Sequence, residues 1–161
     1  MQQRSLIPRM AVALLALLGF FESLFLTLSR YQQQTALVCP FGGGCTTVQT
    51  SRWSSIPPGE GIPVALVGVG GYAILVGIAL LSLHHSRVGA IALPPAMVAI
   101  ASAGVLFACY LTVLQVFVIR ALCSWCLGSA LIMLGIWGAA LRDWQAWRQV
   151  KAPRRQRGGA S

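Results

Sequence analysis

Four long apolar stretches, separated by short polar segments, dominate the hydrophobic pattern of this chain. They lie near residues 10–28, 62–83, 94–118 and 123–141. Each is about the length of an α-helix that crosses a membrane, which takes about 20 residues. The first stretch also resembles a signal peptide, but no small-residue cleavage site follows it. The pattern therefore predicts an all-α protein, an integral membrane four-helix bundle.

Composition supports a membrane protein with little chain outside the lipid. Hydrophobic residues make up 57% of the 161 residues and charged residues only 9%, whereas about 25% of a soluble domain is charged. The formal net charge is +9, but the basic residues are spread over short loops and a tail. We therefore expect no nucleic-acid partner, and we expect membrane lipid to surround the protein.

The basic residues also predict how the bundle is oriented. Nine of the twelve lie in the N-terminal segment 1–9, the second loop or the tail 142–161, and three lie in the first and third loops. Basic residues concentrate on the cytoplasmic side, so both termini should be cytoplasmic, with a disordered tail. The first loop should be extracytoplasmic and cap the bundle. A bacterial inner membrane, or an equivalent energy-transducing membrane, is the expected location.

Four of the five cysteines fall on the predicted outer side, where disulfides persist. Cys39 and Cys45 flank a glycine-rich segment of the first loop, and Cys123 and Cys126 form a C-x-x-C motif where the fourth helix begins. Zinc binding, two structural disulfides and a thiol relay are the three interpretations. Loose spacing and an oxidising compartment argue against a metal site. The fifth, Cys109, is expected to be a small buried residue of helix three.

A relay explains why a C-x-x-C motif stands at the mouth of a membrane helix. The positive end of a helix dipole lowers a thiol pKa. Cys123 is expected at the aqueous edge, within reach of Cys45, while Cys126 lies about 4.5 Å deeper. A lipid-soluble acceptor of two electrons is a quinone, so we expect Cys126 to face a quinone and Cys39 to meet a partner protein.

The order of these motifs resembles that of bacterial vitamin K epoxide reductase homologues. The matching features are the C-x5-C loop pair, the serine of "SRW", the segment "GIPVALVGVGGY" and the final C-x-x-C. The resemblance implies a bundle around a quinone (menaquinone, ubiquinone or phylloquinone), with Cys39 and Cys45 as shuttle and Cys123 and Cys126 as active-site pair. It also implies that Ser51 lies near the quinone, although the residues alone favour a helix cap there.

Several features separate this chain from related types. Animal members carry a tyrosine where this chain has Ala130, so epoxide reduction is not expected. Many bacterial members continue into a thioredoxin-like domain. The sequence ends at Ser161, so we expect a separate DsbA-like or thioredoxin-like partner. In the DsbB family the C-x-x-C pair comes first along the chain and the more widely spaced pair comes second, which is the reverse of the order here.

A rival function rests on Glu22, which lies within the first apolar stretch. A carboxylate at mid-membrane costs about 2.5–3.5 kcal/mol on insertion scales and is a functional indication. Small four-helix multidrug transporters use a glutamate in their first helix. Under that interpretation the cysteines would be structural.

Overall fold

Helices account for most of the described chain. The structure is a computed structural model, and it describes residues 3–32, 39, 44–58, 61–85, 87–88 and 91–157. The helices are α1 (Gln3–Gln32), α2 (Cys45–Thr50), α3 (Val64–His84), α4 (Leu93–Val113), which continues as a π-helical turn (Leu114–Ile119), and α5 (Ser124–Arg157). Two antiparallel strand pairs are β1 (Ser55–Ile56) with β2 (Ile62–Pro63), and β3 (Arg87–Val88) with β4 (Ile91–Ala92).

Four of these helices are long and apolar enough to cross a membrane. The spans are Leu6–Gln32, Val64–His84, Leu93–Ile119 and Ser124–Gln149. This confirms the predicted all-α membrane bundle.

One boundary differs from expectation, because α5 extends to Arg157 through most of the segment that was expected to be disordered. Arg, Lys, Gln and Ala are good helix formers. Each residue added to an existing helix, other than Pro153, which lacks an N–H, gains a hydrogen bond without a new nucleation cost.

The described residues between α1 and α3 (39, 44–58 and 61–63) cover one end of the bundle. Their short helix α2 is followed by a 3₁₀ turn, Arg52–Ser54. The Gln49 side-chain amide donates to the Leu26 carbonyl at 3.1 Å, and the Arg30 guanidinium donates to the Ser54 hydroxyl at 2.5 Å. These bonds hold the segment, which we call the cap, against the end of α1.

The packed core occupies the half of the bundle away from the cap. Gly19 permits the closest approach of α1 to α3, since a Cβ there would lie 2.4 Å from the Tyr72 ring. Small side chains let membrane helices pack closely. The buried core residues are Val12, Ala13, Ala16, Tyr72, Leu75, Ala79, Met97, Ala101, Ile136 and Ala140.

A buried ion pair joins three helices at the end opposite the cap. Arg9 Nε of α1 lies 2.9 Å from Asp143 Oδ1 of α5, and the same guanidinium donates to the Ser82 carbonyl of α3. Arg9 is only 6% exposed and Asp143 is fully buried. Each charge therefore depends on the other for its compensation.

We predict that separating this ion pair destabilises the bundle more than deleting it. Arg9→Met or Asp143→Leu should each lower the free energy of unfolding by about 3–5 kcal/mol, because one buried charge is left unpaired. The double variant should recover much of that loss. Unfolding of the detergent-solubilised protein, followed by circular dichroism, measures the effect. Arg142→Met, at an exposed position of the same helix, is the control. Additive losses in the double variant would contradict the prediction.

Candidate redox site

The two loop cysteines form a disulfide within the cap. Cys39 and Cys45 are bonded, with their Cα atoms 6.0 Å apart. The backbone N–H of Cys45 also points to the Cys39 sulfur at 3.1 Å. Cys45 is fully buried, while Cys39 is half-buried. Of this pair, only Cys39 is partly exposed.

Cys123 occupies the capping position at the start of α5. Its sulfur accepts the backbone N–H of Cys126 at 3.3 Å, and its carbonyl accepts the N–H of Leu127 at 3.0 Å. The first N–H groups of a helix have no partner within the helix, so a sulfur in this place satisfies one of them, as an N-cap oxygen does. The Cys126 thiol lies 2.7 Å from the Cys123 sulfur.

These contacts lower the pKa of Cys123. The hydrogen bond from the Cys126 thiol, together with the N–H groups of Cys126 and Trp125, lowers the pKa of Cys123 to about 7 although burial opposes the shift. A substantial fraction of Cys123 is therefore thiolate at neutral pH, and thiolate is the form that attacks a disulfide.

A buried glutamine, which the sequence did not single out, fixes the backbone of Cys123. Gln115 lies in the π-helical turn, and its side-chain oxygen accepts the Cys123 N–H at 3.1 Å. Arg120 adopts a left-handed conformation, with φ of 54°, which turns the chain back so that the Ala121 N–H bonds the Gln115 carbonyl at 3.1 Å. The available signal was a lone amide within the apolar run "YLTVLQVFVI".

The burial of Cys123 differs from expectation. It was expected at the aqueous edge, but it is fully buried and packs in one cluster with Cys45 and Val48 of the cap. The cap approaches so closely that a Cβ on Gly44 would lie 2.3 Å from the Leu122 carbonyl oxygen. Cys123 is thus covered by the loop that carries Cys39 and Cys45.

Beneath the cap lies a cavity of about 350 Å³. It is bounded by the cap halves of α1, α3, α4 and α5, and its wall is mostly apolar or small. Cys126 lines this cavity and Cys123 does not. The polar side chains that line it are Ser23, Arg30, Gln49, Ser51, Ser54, Tyr72, Thr112, Gln115 and Ser129.

A sequence profile of the vitamin K epoxide reductase family matches residues 10–141. The chain belongs to this family. It is a membrane thiol oxidoreductase. The matched segment includes both cysteine pairs, the second and third membrane spans and most of the first and fourth.

The resemblance to this family implies that Ser51 lies near a quinone. In the structure Ser51 lies both at the end of α2 and in the wall of the cavity. It ends α2, where its hydroxyl donates to the Val48 carbonyl at 2.9 Å, and it lines the cavity. Ser51 also precedes the 3₁₀ turn Arg52–Ser54, but its side chain makes no capping hydrogen bond to that turn, so the helix cap that the residues alone favour is not formed by this side chain.

The tyrosine position of animal family members also lies at the cavity. Ala130 occupies it and lines the wall. A phenol reaches the cavity instead from α3, where Tyr72 donates to the Ser129 carbonyl at 3.0 Å and lies 2.8 Å from its hydroxyl.

Cys109 differs from the expected buried residue, since it is exposed on α4. In a membrane protein an apolar thiol is equally compatible with the lipid-facing surface, so its apolar character did not predict burial. Within the residues described, no group of three or more His, Cys, Asp or Glu side chains is arranged to hold a metal ion.

We predict that Cys123 titrates near neutrality in this member of the family. In a reduced variant with Cys39, Cys45 and Cys109 changed to Ala, the alkylation rate should rise with pH through a midpoint of about 7. Below that pH the sulfur is protonated and reacts slowly. Iodoacetamide labelling followed by mass spectrometry measures the midpoint.

The matched control adds Cys126→Ala. This change removes the main hydrogen bond to the Cys123 sulfur, so the midpoint should move upward, toward the ordinary thiol value of about 8.5. A midpoint that is the same in both variants would show that Cys126 does not stabilise the thiolate.

Proposed function

We propose that this protein oxidises a separate DsbA-like or thioredoxin-like protein and passes the electrons through its two cysteine pairs to a membrane quinone. The activity would support disulfide formation in exported proteins. The observation that carries this proposal is the division of the C-x-x-C pair: Cys123 packs against Cys45 outside the cavity, and Cys126 lines the cavity.

The exposure of the cysteines supports one order of exchange. A thiolate of the partner attacks Cys39, the outer sulfur of the loop disulfide, and Cys45 leaves as a thiolate. Cys45 then attacks an oxidised Cys123–Cys126 pair at Cys123, and Cys126 becomes the thiolate within the cavity. A second thiol of the partner releases Cys39, and Cys39 re-forms its bond with Cys45, which leaves an oxidised partner and a reduced Cys123–Cys126 pair. Each exchange breaks one sulfur–sulfur bond and forms another.

The cavity fits a quinone by size and by chemistry. Ligand pockets have volumes of about 300–1,000 Å³ and apolar walls with few polar groups, and this one has about 350 Å³. Phe107 and Leu111 provide apolar wall. The Gln49 amide has a second N–H for a ring oxygen, and the hydroxyls of Ser51 and Tyr72 would turn toward the ring from the carbonyls to which they now donate. When bound there, a quinone supplies an acceptor for two electrons.

Orientation follows from the charge distribution. The Arg9–Asp143 contact brings the start of the first span and the end of the fourth span to the same end of the bundle. Nine basic residues belong to that end and three to the cap end. We therefore assign the cap to the extracytoplasmic side of a bacterial inner membrane, where a disulfide is stable.

The transporter interpretation draws no support from the cavity. Glu22 is not among the described residues that line it, so no carboxylate is presented there to bind a cation.

We predict that Cys126→Ala abolishes quinone reduction while leaving the outer exchange intact. The variant retains the Cys39–Cys45 disulfide but lacks the only described cysteine sulfur that lines the cavity. With a reduced DsbA-like protein as electron donor, ubiquinone-1 or menadione absorbance should not change. A mixed disulfide between the donor and Cys39 should still be trapped by acid quenching and non-reducing electrophoresis.

Cys109→Ala is the matched control, because that thiol lies on the outside of α4, and it should reduce quinone at the rate of the unmodified protein. Quinone reduction by the Cys126→Ala variant at that same rate would refute the electron path.

We predict that Cys39 is accessible from outside intact cells. After mild reduction, a membrane-impermeant maleimide should label it, since Cys39 is half-buried in the cap. A Cys39→Ala variant measures labelling of the other thiols. Labelling of Cys39 only after the membrane has been permeabilised would reverse the proposed orientation.

A further inference from the structure

Glu22 lies against the segment of α5 that follows the active-site pair. Its Oε1 would be 3.2 Å from a Cβ on Gly128, and the backbone N–H of Ser129 donates to its carboxyl group. Its other oxygen, Oε2, is buried and has no hydrogen-bond partner among the described residues. One side of the carboxyl is therefore held in place and the other is open to accept or donate a proton.

The titratable groups that face Glu22 come from two neighbouring helices. Cys126 and the adjacent Cys123 interact with it electrostatically from the start of α5, and Tyr72 does so from α3. The described ion pairs do not include Glu22. An unpaired carboxylate is costly in an apolar interior, so the group is stable there only when it holds a proton.

Two hydroxyls in the neighbourhood of Glu22 line the cavity. Ser129, whose N–H binds the carboxyl, places its hydroxyl 2.8 Å from the Tyr72 hydroxyl. Both side chains line the cavity. A hydroxyl accepts and donates protons at once, so Ser129 and Tyr72 connect the surroundings of Glu22 with the space that Cys126 faces.

We propose that Glu22 carries protons between the Cys123–Cys126 dithiol and the substrate in the cavity, by way of Ser129 and Tyr72. This inference rests on the proposed function. Oxidation of the dithiol forms one sulfur–sulfur bond and releases two electrons and two protons. Both electrons and both protons end on the quinone, which gives a hydroquinone. Glu22 gives its proton toward the cavity and is reprotonated from the thiols.

The test is a single turnover of pre-reduced protein mixed rapidly with menadione. Glu22→Gln keeps the shape of the side chain but cannot transfer a proton, and general acid–base groups contribute about 10²–10⁴-fold in rate. We expect reduction to slow by about tenfold or more, and Tyr72→Phe to slow it less. Glu60→Gln is the control for loss of a carboxylate elsewhere in the chain.

Three further measurements separate proton transfer from a structural role. Menadione binding and mixed-disulfide formation with the donor should be unchanged in Glu22→Gln. Formate should partly restore the rate of Glu22→Ala, whose cavity it can enter. In quinone-free protein, the infrared difference between reduced and oxidised forms should contain a protonated-carboxyl band that Glu22→Gln lacks.

The outcomes distinguish this inference from the proposed function. If the unmodified protein reduces menadione and Glu22→Gln does so equally fast, the proton carrier is refuted and the relay of cysteines stands. If Glu22→Gln loses menadione binding or stability in proportion to its rate, and formate restores nothing, Glu22 is structural and the inference is refuted. If the unmodified protein does not reduce quinones at all, both fail.

Discussion

The structure of this site depends on one constraint: the first N–H groups of α5 need acceptors where no water is available. The Cys123 sulfur accepts one such group, and the Gln115 side chain accepts the N–H of Cys123 itself. The reactive thiol is thus part of the helix cap, and its lowered pKa is a consequence of that position. The left-handed turn at Arg120, which brings Cys123 back to Gln115, also determines that Cys123 faces the loop and that Cys126 faces the cavity.

The two ends of the bundle are held by different means. At one end the Arg9–Asp143 pair joins α1 to α5, and α3 is attached through Ser82, so the neighbouring half of the bundle is packed with apolar side chains. At the other end the helices are spread around the cavity and closed by the cap. The ion pair thus belongs to the packed half of the bundle, and the cavity belongs to the half that the cap closes.

Hydropathy and cysteine spacing predicted the four spans and both cysteine pairs, because these features are local in sequence. Contacts between distant residues could not be predicted in this way. The charge count assigns Arg9 to the N-terminal segment, yet its partner Asp143 lies 134 residues away. Cys123 was expected in water, because a helix position does not show that the first loop folds over it. The sequence does not show the role of Gln115 for the same reason, because that role depends on Cys123 lying next to it in the fold.

The attachments of the cap differ in kind from those of the packed half of the bundle, and this difference bears on how the proposed relay would work. Its described side-chain bonds to α1 are those of Gln49 with Leu26 and of Arg30 with Ser54. A neutral hydrogen bond contributes about 0.5–1.5 kcal/mol net and one to a charged group about 1.5–3 kcal/mol, and Cys45 and Val48 add their packing against Cys123. None of these contacts involves Arg9 or Asp143, so the cap could lift from α1 while the Arg9 end of the bundle stays closed. In the proposed relay, that movement would admit a partner to the loop disulfide and then return Cys45 to Cys123, with Cys126 inside the cavity throughout.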